Sequence, residues 1–327
     1  MPYVSFAAIC LLFGSNFFLM SRAGVAFGPV EIGAARVVAA TAVLMLAWRL
    51  FAAGQSVPRR HWGRIAVVGL VANGYPYVAQ PWLLAQGFGH SFFGMMVAFT
   101  PLLTIVASVP MLGVWPTTRQ LAGVLLGLGF MAVLMLDGSG RGITPGMLLL
   151  ALSVPLSYAV ANTYIRRKLS DVAATPLAAA MLFAPAVVLL PISAMQGPMT
   201  DLGIGPPVER QAVTTAVAAL VFLGALGTGA TMWLFVRLLQ SEGPLFAGMV
   251  TYVVPVIALL WGRFDGELIT SQQLVAIGGV LASVALVQQG AASKQPSSAR
   301  SSAETSPSLD SSTDISSTDI APAASEV

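Results

Sequence analysis

QGFGHSFFGMMVAFTP, residues Gln86–Pro101, returns in altered form as QSEGPLFAGMVTYVVP at Gln240–Pro255, 154 residues further on. Without a gap, Gln86, Gly89, Phe92, Gly94, Met95 and Pro101 fall on Gln240, Gly243, Phe246, Gly248, Met249 and Pro255. The register extends outward. A shift of one residue lays GVWPTTRQL, Gly113 to Leu121, on GELITSQQL, Gly266 to Leu274, with Gly, Thr, Gln and Leu matching. The chain therefore carries one long apolar unit twice.

The setting of that unit is lipid. Only 9% of the residues are charged, 56% are hydrophobic and the mean hydropathy is +0.82. Soluble domains carry about 25% charged residues, so this chain lacks the material for a water-facing surface. A crossing helix needs about 20 mainly apolar residues. Such runs occur near 3–21, 30–52, 65–84, 91–115, 119–136, 143–163, 174–195, 211–236, 244–262 and 270–288. The expectation is an all-α polytopic membrane protein with ten transmembrane helices. The first run has no Lys or Arg before it and is read as a retained span rather than a cleaved signal.

Five spans per unit is an odd number, so the second unit enters the membrane from the opposite side. This is an inverted-topology repeat, divided as residues 1–137 and 138–289. The connector charges follow the inversion. The connector after span two carries Arg59, Arg60 and Arg64, whereas its counterpart after span seven carries Asp201 and Glu209 against Arg210. With the N-terminus inside, eleven Lys and Arg fall on the cytoplasmic side and four in outer loops, which places both termini in the cytoplasm. Residues 290–327 hold twelve serines and a tandem SSTDI, the composition of a disordered cytoplasmic tail.

The duplicated unit resembles the EamA-type drug/metabolite transporters across residues 3–288. The resemblance rests on LLFGSNF at Leu11 to Phe17, on GPVEIGAAR at Gly28 to Arg36, on the Pro-centred span-four and span-nine pair, and on GELITSQQL. It implies a ten-span secondary transporter of the inner membrane, commonly an exporter of amino acids, other metabolites or toxic compounds. Glu267 fits the family's acidic position after span nine, while Val114 stands there in the first half. Arg36 fits the first-half arginine, and Phe183 occupies its second-half equivalent.

Among candidate site residues, Arg36 is the one ionisable residue well inside an expected span. An arginine at the bilayer centre costs roughly 2.5–3.5 kcal/mol on insertion scales. Lying six residues into span two, it has three uses open to it: reaching the outer interface, pairing with Glu31, or serving a substrate. In span three Asn73, Tyr77 and Gln80 share one helical face beside Pro76 and Pro81. The facing positions of span eight are Gly227, Thr231 and Leu234, with Trp233 beside them. Ser15 and Asn16 in span one and Tyr158 and Asn162 in span six are further candidates for the same cavity. Thr100, Thr104 and Ser108 read as hydroxyls bonded to their own helix, Gly123 and Gly127 as close packing, and His90 as a loop residue.

Enzyme readings find no support. Neither H-E-x-x-H nor G-x-S-x-G occurs, and Lys168 and Lys294 sit in no phosphate loop. No cofactor or metal is expected, and the small basic excess is not a nucleic-acid patch. The expected partners are a small-molecule substrate, the lipid bilayer and, as a candidate, a second copy of the chain. The function expected is outward transport of small metabolites. The alternatives are moving an amphiphilic or lipid-linked compound between leaflets and a membrane interaction or sensor role.

Overall fold

The computed structural model describes residues 2–113, 115–136, 144–207, 209–238 and 250–292. Residues 240–249 of the second repeat copy, the DGSGRG connector and the tail from residue 293 lie outside the described residues. Every regular element among those described is helical. The helices are α1 (Pro2–Gly24), α2 (Pro29–Phe51), α3 (62–85), α4 (His90–Leu112), α5 (Thr118–Leu136), α6 (Pro145–Lys168), α7 (Ala174–Ser193), α8 (Val213–Leu238), α9 (Val250–Phe264) and α10 (Ser271–Ala292), with a short helix at Gln196–Asp201. Of these, α1, α2, α4, α6, α7 and α8 are long and apolar enough to cross a membrane.

Local chemistry sets the helix ends. Pro29 opens α2, and Glu31 accepts the Gly28 N–H at 2.9 Å, which satisfies an end donor and places negative charge at the positive pole. The repeated Thr-x-x-Gln forms the same capping box twice. Gln120 accepts from Thr117 N at 2.9 Å and Gln273 from Thr270 N at 3.2 Å, while each threonine hydroxyl accepts in return from the glutamine's own N–H. The motif that marked the repeat in the sequence therefore starts α5 and α10 in the same way.

Span three was expected as a Pro-interrupted helix. It runs continuously from 62 to 85, because Leu70–Gly74 widens into a π turn just ahead of Pro76. A proline has no N–H and crowds the preceding turn; the wider turn takes up that misfit. A longer π segment, Phe222–Ala230, lies within α8.

Apolar area drives no helix pairing in lipid, so association depends on close van der Waals fit. The closest approaches occur at small residues: a Cβ on Gly69 would run into the Met181 carbonyl of α7, and one on Gly224 would lie 2.6 Å from Ala39 Cβ of α2. Helix α2 packs on α7 and α8, α3 on α7 and α6, α4 on α9 and α6, α5 on α10, and α1 on α9 and α8. Thr104 and Ser108 hydroxyls donate to the Thr100 and Thr104 carbonyls, as expected for a stripe bonded to its own helix. Gly127 packs against Leu102 and Phe99.

Candidate functional site

The polar centre lies where α1, α2, α3 and α8 meet. A π turn bonds a carbonyl to the N–H five residues on, as the Thr231 N–H bonds Leu226 in α8, and side chains there add further donors. Asn16 Nδ2 donates to the Gly227 carbonyl at 3.0 Å, Thr228 Oγ1 to Leu223 at 2.9 Å and Thr231 Oγ1 to Leu226 at 2.6 Å.

Arg36 enters this centre from α2. It is 4% exposed, and its Nε donates to Thr228 Oγ1 at 2.7 Å. Its Nη1 lies 3.7 Å from Met20 Sδ, and the guanidinium carbon sits 3.7 Å from the centre of the Tyr77 ring. Neither outward alternative is realised. Glu31, the expected acidic partner, caps Gly28 and pairs with Arg210 at 2.9 Å.

Tyr77, Gln80 and Asn73 are buried together on α3. Tyr158 of α6 reaches in beside the Gln80 side chain. Asn73 Nδ2 is buried without a hydrogen-bond partner, and so is Asn16 Oδ1. The structure thus gathers Asn16, Arg36, Tyr77, Gln80 and Tyr158, with Asn73 one turn before Tyr77 on α3. It leaves the other expected residues elsewhere. Asn162 is exposed on α6, Thr231 is spent on its own helix, and Trp233 packs tilted on Phe51 at 5.1 Å with the Arg237 guanidinium 4.8 Å from its ring centre. Thr228 was not legible, because a 3.6-residue period puts Gly227 and Thr231 on the inner face. The π turn alters that register and buries Thr228 along with them.

Both ends of the bundle carry charged clusters. At one end Asp265, from the α9–α10 connector, pairs with Arg22 and lies 2.8 Å from His90 Nε2. Glu267 caps α4, accepting from the His90 and Ser91 main chain and from Ser91 Oγ at 2.9 Å. His90, expected as a loop residue, is therefore a buried member of this cluster. Trp261 stacks on Phe18 at 4.3 Å and donates to Ser15 Oγ at 2.8 Å. The Glu31–Arg210 pair stands at the same end.

At the opposite end Asp171, from the α6–α7 connector, accepts from Arg60 at 2.7 Å and lies 3.0 Å from His61 Nε2. The Arg60 guanidinium first, and His61 second, hold the Asp171 carboxyl down to about 2. These pairs tie together connectors far apart in sequence. An apolar groove of about 590 Å³ opens beside α3, lined by Leu70, Tyr75, Val78 and Trp82 and by Leu202 and Ile204 of the α7–α8 connector.

The EamA-like transporter family model matches residues 1–136 and again residues 145–288. The chain is 26% identical over 289 residues to an uncharacterized inner membrane transporter, YedA, of Escherichia coli strain K12, covering 86% of this chain and 89% of that one. The YedA proteins of E. coli O6:H1 and O157:H7 match equally. A crystal structure of another protein aligns at a TM-score of 0.61 and 19% identity, over 89% of this chain and 98% of that one, a likeness of fold.

Proposed function

The chain belongs to the EamA-like transporter family, and from that premise we propose that it exports small metabolites by alternating access. Ten crossings in two inverted five-helix units, with both termini cytoplasmic, form the machine. Asn16, Arg36, Asn73, Tyr77, Gln80, Tyr158 and Thr228 form its substrate centre.

The observation that carries this reading is how contacts behave when the first five helices are exchanged with the last five. The α2–α7, α4–α9 and α5–α10 contacts map onto themselves. The α2–α8 contact maps onto α3–α7, α1–α9 onto α4–α6, and α1–α8 onto α3–α6. The same exchange relates the ion pair Arg60–Asp171 to Arg210–Glu31, since each joins the connector after a second or seventh helix to a carboxylate near the start of the seventh or second helix. These two pairs stand at opposite ends. Two similar halves with a related ion pair at each face can trade inward-open for outward-open shapes around a central site. An interaction protein has no mechanical use for that arrangement.

One observation favours a second reading. The groove beside α3 is open and lined almost wholly by apolar side chains, which suits an amphiphilic compound. Metabolite profiling of the medium, with and without overexpression, tests the export reading. A compound enriched outside only when the chain is present supports it. An unchanged medium, with the protein inserted, overturns it.

A further inference from the structure

We infer that the central site recognises a single carboxylate, so that the exported compounds are small carboxylate-bearing molecules and not cations. The inference rests on the transporter reading above and names its substrate class.

An arginine is permanently charged in a protein. Among the described residues the ion pairs are Arg22–Asp265, Arg60–Asp171, His61–Asp171, His90–Asp265 and Arg210–Glu31, and Arg36 belongs to none of them. Its partners are neutral. Thr228 takes Nε, a thioether stands at Nη1 and Tyr77 covers one face of the plane. No described acceptor bonds Nη2. A buried cation surrounded by neutral groups attracts an anion far more strongly than an exposed one would, because the low-dielectric surroundings screen little.

The shape of the available donors narrows the anion. A guanidinium presents a planar fork that fits a carboxylate in bidentate fashion. With Nε held by Thr228, the Nη edge is the part left for a ligand. Asn73 Nδ2, buried on α3 one helical turn before Tyr77, is without a hydrogen-bond partner. A buried donor left unbonded is costly, so its vacancy is itself a sign of a polar guest. The charge favours a carboxylate over a phosphate. One guanidinium balances one negative charge, whereas a phosphate monoester carries about −1.5 to −2 near neutral pH.

The test uses the full chain in proteoliposomes filled with a uniformly 13C-labelled cell extract, with the released compounds identified by mass spectrometry. The released set should carry carboxylates. Acetate added in excess should slow release, and inorganic phosphate at equal ionic strength should not. Arg36→Gln should abolish release of that set. Arg36→Lys, which keeps the charge and loses the fork, should raise the half-saturating concentration about tenfold or more. Inserted protein is quantified for every variant, so that Arg36→Lys decides the matter if Arg36→Gln fails to fold. Release of compounds that carry no carboxylate, or release of carboxylates unaltered in Arg36→Lys, overturns the inference and leaves the transporter reading standing. Inhibition by phosphate and not acetate assigns the site to phosphate compounds and overturns the carboxylate assignment. No release at all overturns the transporter reading, and this inference falls with it.

Discussion

The Arg36 guanidinium carbon lies 3.7 Å from the centre of the Tyr77 ring, on helices α2 and α3 of the first half of the chain. A desolvated cation–π contact contributes about 2 kcal/mol or more, and this one fixes the plane in which Arg36 presents its fork. Tyr77→Phe keeps the ring and should retain thermal stability in detergent with most of the flux. Tyr77→Leu should lower both, with flux falling more than the amount of inserted protein. Equal flux in Tyr77→Leu would show that the ring does not position Arg36.

Gly69 and Gly224 carry the matched approaches of α3 to α7 and of α8 to α2. A methyl at Gly69 meets main chain, which cannot move aside as a side chain can. Overpacking of this kind costs about 1–3 kcal/mol. Gly69→Ala and Gly224→Leu should each lower the unfolding midpoint by several degrees, read by scanning fluorimetry of the purified protein. An unchanged midpoint in both would mean the crossings are looser than the structure has them.

The Arg60–Asp171 pair should act as the latch of its face. Val57 lies buried in a cluster with Leu169 and Val172 beneath that pair. In a Cys10→Ala background, a cysteine at position 57 should react faster with an impermeant maleimide when Asp171→Asn is added. Labelling at the same rate with and without the carboxylate would remove the latch.

Asp171 also sets a pH limit. Its carboxyl is lowered to about 2, chiefly by Arg60 and then by His61. A lowered carboxyl contributes stability above the ordinary value near 3.9, and loses it as pH falls from there toward 2. Between pH 5 and 8 the contribution should be constant. Wild type should melt above Asp171→Asn in that range, with the gap closing between about pH 4 and 2. A gap that persists at pH 2 would mean the pair is not its source.

Topology offers the broadest check of the inverted arrangement. Reporter fusions after residues 56 and 290 should be active only with a cytoplasmic reporter, given the positive-inside bias of the connectors. Ending the chain after Ala292, where α10 ends, should leave insertion and transport intact. A periplasmic signal at either fusion point would reverse the assigned orientation.

The amino-acid sequence alone determined the apolar, membrane-type composition, the helical class and the family resemblance, and it showed a stretch that recurs 154 residues on. Composition decides whether a chain can face water, and a run of apolar residues decides whether a helix can face lipid. Both are properties of neighbours along the chain. So is the Thr-x-x-Gln box that starts α5 and α10. The polar stripe of α3 was legible for the same reason, since a helical period converts spacing into a face. The tertiary structure alone decided what those faces meet. Arg36 turns inward because Thr228, 192 residues away, stands opposite it, and Thr228 stands there because a π turn shifts the register of α8. His90 is buried because Asp265, 175 residues on, comes back to it. Hydrogen bonds and ion pairs act over a few ångströms, so their partners are set by which helices pack together, and spacing along one helix carries no record of that.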